Sequence, residues 1–361
     1  MRYPGQHPRR ATVIGAGSFG TAVAVLLVRA DVRTTLVCRT EAQAERLERD
    51  RENLRYLPGI ELPRDLKVRT FAAGDEFSRP DLVLLAVPSR GLAEAVEELR
   101  RLGVSERAGI VSLAKGLVPP DGMPPMLTLE AAFGTNRVAC VGGPAHAREM
   151  VETGAGLVCA SRSEVLAHRV ADAFQAAGVV CEVSDDPVGV ELAGVAKNAA
   201  AVAVGATQAQ GLNAAGMAAA DIFLEVLSLA RASGGRSSTF LGRAGTGDLV
   251  ATTLAPKSRN RSAGELLAEG VRATDIPARV GQAVEALETV PLLAHSIERA
   301  GLQAPVVLAL SRLIEGTMPL DDWVALVRAK QPAPARFFRS RGFWARARRW
   351  FSRRRVESNT R

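Results

Sequence analysis

Lysine is scarce in this chain, five of the 46 basic residues, so the setting of each one carries information. Lys197 lies in GVELAGVAKNAAAVAVG, a small, apolar, helix-like run where a charged side chain is costly unless it faces a site or a partner. A desolvated ammonium loses its proton more readily and can exchange it near neutrality, as an acid/base catalyst must. Lys115 follows IVSLA, at what should be the C-terminal end of a strand, the edge where open α/β sheets hold ligands. The ordinary alternative for both is a surface lysine whose stem lies along apolar neighbours.

A third group falls in GRAGTGDLVATTLAPKSRNR, residues 242–261. Asp248 follows a glycine-rich turn and opens a helix-like stretch, where it could serve as a cap. Ser258, Arg259, Asn260 and Arg261 form a polar set able to bind phosphate through a guanidinium and hydroxyl or amide donors. Together with the two lysines, they point to a small phosphorylated substrate.

The segment VIGAGSFGTA, residues 13–22, sets Gly15, Gly17 and Gly20 in GxGxxG spacing after a strand and at the head of a helix. Such glycines permit a tight turn and close backbone approach, and the helix N-terminus offers N–H groups to a pyrophosphate. An acid ending the second strand would bind the ribose 2′-hydroxyl of NAD, but here that strand ends in Cys38-Arg39-Thr40. Arg39 suits a 2′-phosphate, which favours NADP. A solvated loop arginine is the alternative, with Glu41 left to contact ribose.

The elements that must position these residues are legible in the hydrophobic pattern. Strands are expected at 11–15, 34–38, 66–70, 81–87, 109–114, 137–141, 155–160 and 179–183, with helical stretches between them. That alternation predicts an α/β, Rossmann-like parallel sheet with helices on both faces. After about residue 188 the strand signal stops, and an Ala- and Leu-rich all-helical domain is expected. The expected division is 10–187 for dinucleotide, 188–330 for substrate, and 331–361 as a flexible basic, aromatic tail. Cys38, Cys140, Cys159 and Cys181 stand far apart without a CxxC pair, so four reduced thiols are expected and no metal site.

With 361 residues, 47% hydrophobic and 23% charged, the chain can bury sizeable cores. It shows no uninterrupted apolar run of membrane-span length and no apolar leader, and a cytoplasmic address is expected. The net charge of +8 is concentrated at one end, since residues 336–361 hold ten arginines and a single acid, Glu357. Without them, 36 basic face 37 acidic residues, so nucleic acid is not the expected partner of the body. On a helix, Phe337, Phe343, Trp344, Trp350 and Phe351 would share one side of the tail. Arg339, Arg346, Arg349 and Arg353 would share the other, the pattern of an interfacial amphipathic helix. Peripheral membrane contact competes there with a disordered tail, nucleic-acid contact, or packing on the body or on a second subunit, and a homodimer stays open.

VIGAGSFGTA, NLRYLPG at 53–59, SLAKGL at 112–117, ELAGVAKN at 191–198, GTGDLVATT at 245–253 and SRNR at 258–261 resemble, in order and spacing, the NAD(P)-dependent glycerol-3-phosphate dehydrogenase family. The resemblance spans about residues 11–329. It implies reduction of dihydroxyacetone phosphate to sn-glycerol 3-phosphate, the precursor of glycerophospholipids, with NADPH or NADH. By position it makes Lys197 the proton donor and acceptor, with Lys115 and Asp248 completing the polar site beside Asn198, Thr252 and Gly143. Ser258, Arg259 and Asn260 would hold the substrate phosphate, Arg259 also lying near the cofactor. Ser18, Phe19, Ala147, Ala283, Glu285 and Lys115 would match cofactor contacts.

The chain departs from that family in reading Gly143-Pro144-Ala145-His146-Ala147 where GPSFA or GPTFA is usual, so a hydroxyl and an aromatic are missing. Ala286 also replaces a glycine after Glu285. These changes keep two alternatives open: a related reductase acting on another small 2-keto or hydroxy compound, and an inactive homologue that binds membranes. SRNR argues against the first, and the retained lysines and Asp248 against the second.

Overall fold

The computed structural model describes residues 7–72, 77, 79–255 and 258–329. The expected tail, 331–361, lies outside the described residues. Among the described residues ten strands form: β1 (Arg10–Ile14), β2 (Arg33–Cys38), β3 (Glu52–Asn53), β4 (Leu57–Glu61), β5 (Lys67–Thr70), β6 (Leu82–Leu85), β7 (Gly109–Ser112), β8 (Val138–Gly142), β9 (Gly156–Ala160) and β10 (Val180–Ser184). Eight of them make one sheet in the order β10-β9-β8-β7-β6-β1-β2-β5, and β3 and β4 pair separately as a hairpin.

All eight expected strands are present, but the sheet is not wholly parallel. β8 and β9 run antiparallel, with Val141 opposite Cys159. Between them lies only the six-residue helix Ala147–Glu152. Six helical residues rise ~9 Å, against the ~16 Å of a five-residue strand, too little to carry the chain back to the starting edge. The β3–β4 hairpin is an element the hydrophobic pattern did not announce.

Both sheet faces are covered over the inner strands, which is why these read as unbroken apolar runs, whereas the edge strands β5 and β10 mix buried and exposed positions. Val83 and Leu85 point into one core, Leu82 and Leu84 into the other. The second core is closed by helices Ser18–Arg29 and Glu164–Ala176, the first by the helical half of the chain.

From Pro187 onward the described residues form helices joined by turns and short loops, with no strand among them. Helix Pro187–Thr207 starts as its sequence dictates: Pro187 occupies the first turn, and the Asp186 carboxylate accepts the Gly189 N–H at 2.9 Å. Its small residues serve close packing. A Cβ at Gly205 would stand 2.0 Å from Arg261 O, and one at Gly264 would stand 2.0 Å from Val202 O. Helix Arg259–Ala268 therefore lies against the Lys197 helix almost backbone to backbone. Helices Pro187–Gln210 and Leu212–Ala232 are long and apolar enough to cross a membrane by length and composition, but 83% of the first one's apolar window is buried inside the protein.

Candidate active site

Lys115, Lys197 and Asp248 come from three distant parts of the chain and meet. Lys115 lies on the segment leaving β7, Lys197 is midway along helix Pro187–Thr207, and Asp248 opens helix Asp248–Leu254 after a π-helical turn, Arg243–Gly247. Lys115 Nζ donates to Asp248 Oδ2 at 2.7 Å and to the Gly143 carbonyl at 2.8 Å. Lys197 Nζ stands 3.5 Å from Asp248 Oδ1 and donates to Thr252 Oγ1 at 3.2 Å. The Asp248 side chain is 3% exposed and those of the lysines 16% and 12%, so one buried carboxylate neutralises one of two partly buried ammonium groups. Asp248 faces the lysines instead of acting as the cap its position suggested.

This arrangement sets the acid/base properties. Burial pulls the Lys197 ammonium down to about 8; the Asp248 carboxylate opposes that shift and the Lys115 charge reinforces it. Burial alone would raise the Asp248 carboxyl, but the Lys115 and Lys197 charges more than offset it and hold it below its ordinary range. A helical lysine poised near neutrality, with the rest of its stem shielded, can exchange a proton with a substrate oxygen.

Amide groups join the segments. Asn198 Nδ2 donates to the Lys115 carbonyl at 2.8 Å, and Asn260 Nδ2 donates to Asn198 Oδ1 at 2.8 Å. The chain Lys115–Asn198–Asn260 thus ties the sheet edge, the Lys197 helix and helix Arg259–Ala268 together. Ser258 caps that last helix by accepting the Arg261 N–H, and Thr252 is buried beside Asp248. Arg259 Nη1 bonds Gln282 Oε1 and the Ala283 carbonyl, both at 3.2 Å, which brings Ala283 beside Ser258, Arg259 and Asn260. Glu285 Oε1 in turn accepts from Ser89 Oγ at 3.4 Å.

The glycine loop has the form a dinucleotide requires. Gly15 has φ +109°, and a Cβ there would lie 2.7 Å from Ala86 O; a Cβ at Gly20 would collide with Gly15 O, whereas at Gly17 it would meet nothing within 4 Å. Gly17 caps helix Ser18–Arg29 without a side-chain bond, which leaves first-turn N–H groups for an anion. These residues fit a pyrophosphate. Phe19 is partly buried against the core beneath helix Ser18–Arg29, and Ser18 Oγ is engaged, donating to Tyr56 O at 2.7 Å. Exposed Arg39 borders a surface hollow also lined by Arg46, Arg55 and Tyr56. Glu41 is turned to Thr70, whose hydroxyl it accepts at 3.0 Å. Ala147 begins the short helix after β8, next to His146, whose Nε2 lies 3.3 Å from Ala251 O on the Asp248 helix. All four cysteines are buried and free, and the described residues hold no cluster of three metal-ligating side chains.

Asn53 and Gln43, to which the sequence assigned no role, both donate to the Ala16 carbonyl of the glycine loop. Asn53 stands in the NLRYLPG motif, the one signal that could have marked it.

Comparison with known proteins adds an independent finding. Residues 10–167 match the family model for the NAD-dependent glycerol-3-phosphate dehydrogenase N-terminus, and residues 186–325 match that for the C-terminus. The chain is 38% identical over 312 residues to a glycerol-3-phosphate dehydrogenase [NAD(P)+] of Deinococcus radiodurans, covering 84% of this chain and 90% of the relative. It is 37% identical to the Thermus thermophilus protein of the same name, covering 90% and 99%. The crystal structure of glycerol-3-phosphate dehydrogenase from Coxiella burnetii superposes with a TM-score of 0.83 at 26% identity, covering 89% and 99%.

Proposed function

The chain belongs to the NAD-dependent glycerol-3-phosphate dehydrogenase family, and from that membership we propose a role for each group in its site. It is an NAD(P)-dependent oxidoreductase that interconverts dihydroxyacetone phosphate and sn-glycerol 3-phosphate, supplying glycerophospholipid synthesis. Held at the glycine loop, a nicotinamide dinucleotide would supply the hydride for the carbonyl carbon, or take one up in the reverse direction.

Lys197 donates the proton that the carbonyl oxygen needs as it becomes an alkoxide, and takes it back in glycerol phosphate oxidation. Asp248 keeps that ammonium from being too acid while fixing Lys115, whose bond to the Gly143 carbonyl anchors it at the sheet edge. Thr252 and Asn198 orient the lysines. Ser258, Arg259 and Asn260 bind the substrate phosphate, drawn in by a cluster with excess positive charge. Residues 10–187 carry the dinucleotide, with Gly15, Gly17, Ser18, Phe19 and Gly20 at the pyrophosphate and Ala147, Ala283 and Glu285 nearby. Residues 188–330 carry the substrate. Arg39 selects the 2′-phosphate, so NADP is the preferred cofactor; Arg46 and Arg55 at the same hollow support that reading. The tail, 336–361, attaches the otherwise cytoplasmic enzyme to membrane surfaces.

The observation that carries the mechanism is the buried carboxylate shared by two lysines, Lys197 being poised at about 8. The test is oxidation of NADPH and of NADH assayed with dihydroxyacetone phosphate and, in parallel, with unphosphorylated dihydroxyacetone. The expected result is turnover of the phosphate ester, faster with NADPH, and little of the free ketone. Equal rates on both compounds would remove the phosphate site.

A further inference from the structure

The β3–β4 hairpin holds the glycine loop through side chains that have no place in the chemistry. Asn53, at the end of β3 and 3% exposed, donates from Nδ2 to the Ala16 carbonyl at 3.1 Å and to Thr21 Oγ1 at 2.8 Å. Gln43, on helix Glu41–Asp50, donates from Nε2 to the same Ala16 carbonyl at 3.1 Å. Two amides from different elements thus converge on one carbonyl between Gly15 and Gly17.

A trans peptide sets its C=O and N–H on opposite sides, so tethering the Ala16 oxygen also fixes the Gly17 N–H. That N–H has no acceptor among the described residues, and Gly17 stands at an open helix N-terminus. The φ of Gly17 gives this peptide more freedom to rotate than a residue with a Cβ would, so without a tether the N–H could turn away and leave the carbonyl facing an incoming anion. The neighbouring peptides are held otherwise: Gly15 N–H by Val37 O at 2.9 Å, and Gly17 O by the Thr21 N–H at 3.0 Å.

We propose that Asn53 and Gln43 are positioning residues of the dinucleotide site, their amide groups locking the Ala16–Gly17 peptide so that its N–H stays presented to the cofactor's pyrophosphate. This rests on the dehydrogenase reading above. It makes the hairpin a preorganising support, which lowers the ordering cost of binding, and it predicts a loss in dinucleotide affinity that spares the substrate.

The test is direct NADPH binding, followed by protein fluorescence, in the parent, Asn53→Asp and Gln43→Met. Asn53→Asp keeps the shape but turns the donors into an acceptor facing a carbonyl. Its NADPH dissociation constant should rise about 10- to 100-fold and that of Gln43→Met about 3- to 10-fold, with the KM for dihydroxyacetone phosphate unchanged. In cofactor-free protein, backbone NMR relaxation at Ala16 and Gly17 should show added local motion in both variants, which loss of packing elsewhere would not do selectively. If Asn53→Asp does not fold, Gln43→Met and Gln43→Glu, altered at a partly exposed position, decide the matter. Folded variants that bind NADPH as tightly as the parent would overturn the proposal. A parent that binds neither NADPH nor NADH would instead overturn the dehydrogenase reading, and this inference with it.

Discussion

At Lys197, burial and charge pull in opposite directions, and their balance predicts a pH profile. Its ammonium is pulled down to about 8 by burial, against the attraction of Asp248. Reduction needs the protonated form, so kcat/KM for dihydroxyacetone phosphate should fall as pH rises through about 8. Glycerol phosphate oxidation needs the free amine and should rise through the same range. Asp248→Asn removes the charge that favours the ammonium, so both breaks should move to lower pH; steady-state pH profiles that break at the parental pH would contradict this coupling. Lys197→Ala should lower kcat by ~10²–10⁴-fold with NADPH binding intact, and more than a tenth of parental turnover would remove Lys197 as the acid/base. Arg259→Ala should raise the KM for dihydroxyacetone phosphate ~10- to 100-fold, the worth of a charge-assisted hydrogen bond. Arg259→Lys should recover only part, because a point charge cannot reproduce a fork that also holds Gln282 and the Ala283 carbonyl. An unchanged KM in Arg259→Ala would place the phosphate elsewhere.

Among the elements, helix Pro187–Thr207 bears most on the site, since it carries Lys197 and Asn198 and receives helix Arg259–Ala268 in backbone contact. Its start depends on Asp186, which is 4% exposed and accepts the Gly189 N–H and the Arg236 N–H at 2.9 Å each and Thr239 Oγ1 at 2.6 Å. Asp186→Ala removes a helix cap and strands two further donors, so it should cost about 2–4 kcal/mol in chemical denaturation. A loss within experimental error would show that the helix start is held by packing alone. Such dependencies are hard to read from sequence. The inner sheet strands were legible because burial on both faces makes each a short apolar run, the edge strands Lys67–Thr70 and Val180–Ser184 by their β-branched residues among polar ones, and Lys115, Lys197 and Asp248 because charge stands out in small, apolar or glycine-rich surroundings. The β3–β4 hairpin was hidden because Glu52–Asn53 is only two residues long and Leu57–Glu61 is interrupted by Pro58 and Gly59, which read as a turn. The reversed β9 was hidden because pairing direction depends on how far the connection reaches, and apolar content is the same either way. The Gln43 and Asn53 bonds to Ala16 join residues 27 and 37 positions away, which no local period encodes.

Taken whole, the molecule is electrically divided. Residues 1–335 carry 36 basic and 37 acidic residues, while 336–361 carry ten arginines, Glu357 and six of the sixteen aromatic residues. Family resemblance accounts for the first part only, since the matched regions end at residue 325. A near-neutral body gives little long-range attraction to an anionic surface, whereas ten guanidinium groups interleaved with Phe and Trp combine electrostatic attraction with apolar insertion at the lipid headgroups. The enzyme's product feeds glycerophospholipid synthesis, so such a tail would hold it beside the consumers of that product. The full chain should therefore co-sediment with vesicles containing an anionic phospholipid, and less at high salt, because exposed charges are screened within a Debye length of ~8 Å at physiological ionic strength. A chain ending at Ala335 should stay in the supernatant and keep full dehydrogenase activity, since every residue proposed for the site precedes Ala286. Equal sedimentation of the two chains would place membrane affinity in the body, where the Leu212–Ala232 helix exposes Leu212, Met217 and Leu224. Loss of activity on truncation would assign the tail to the folded enzyme itself.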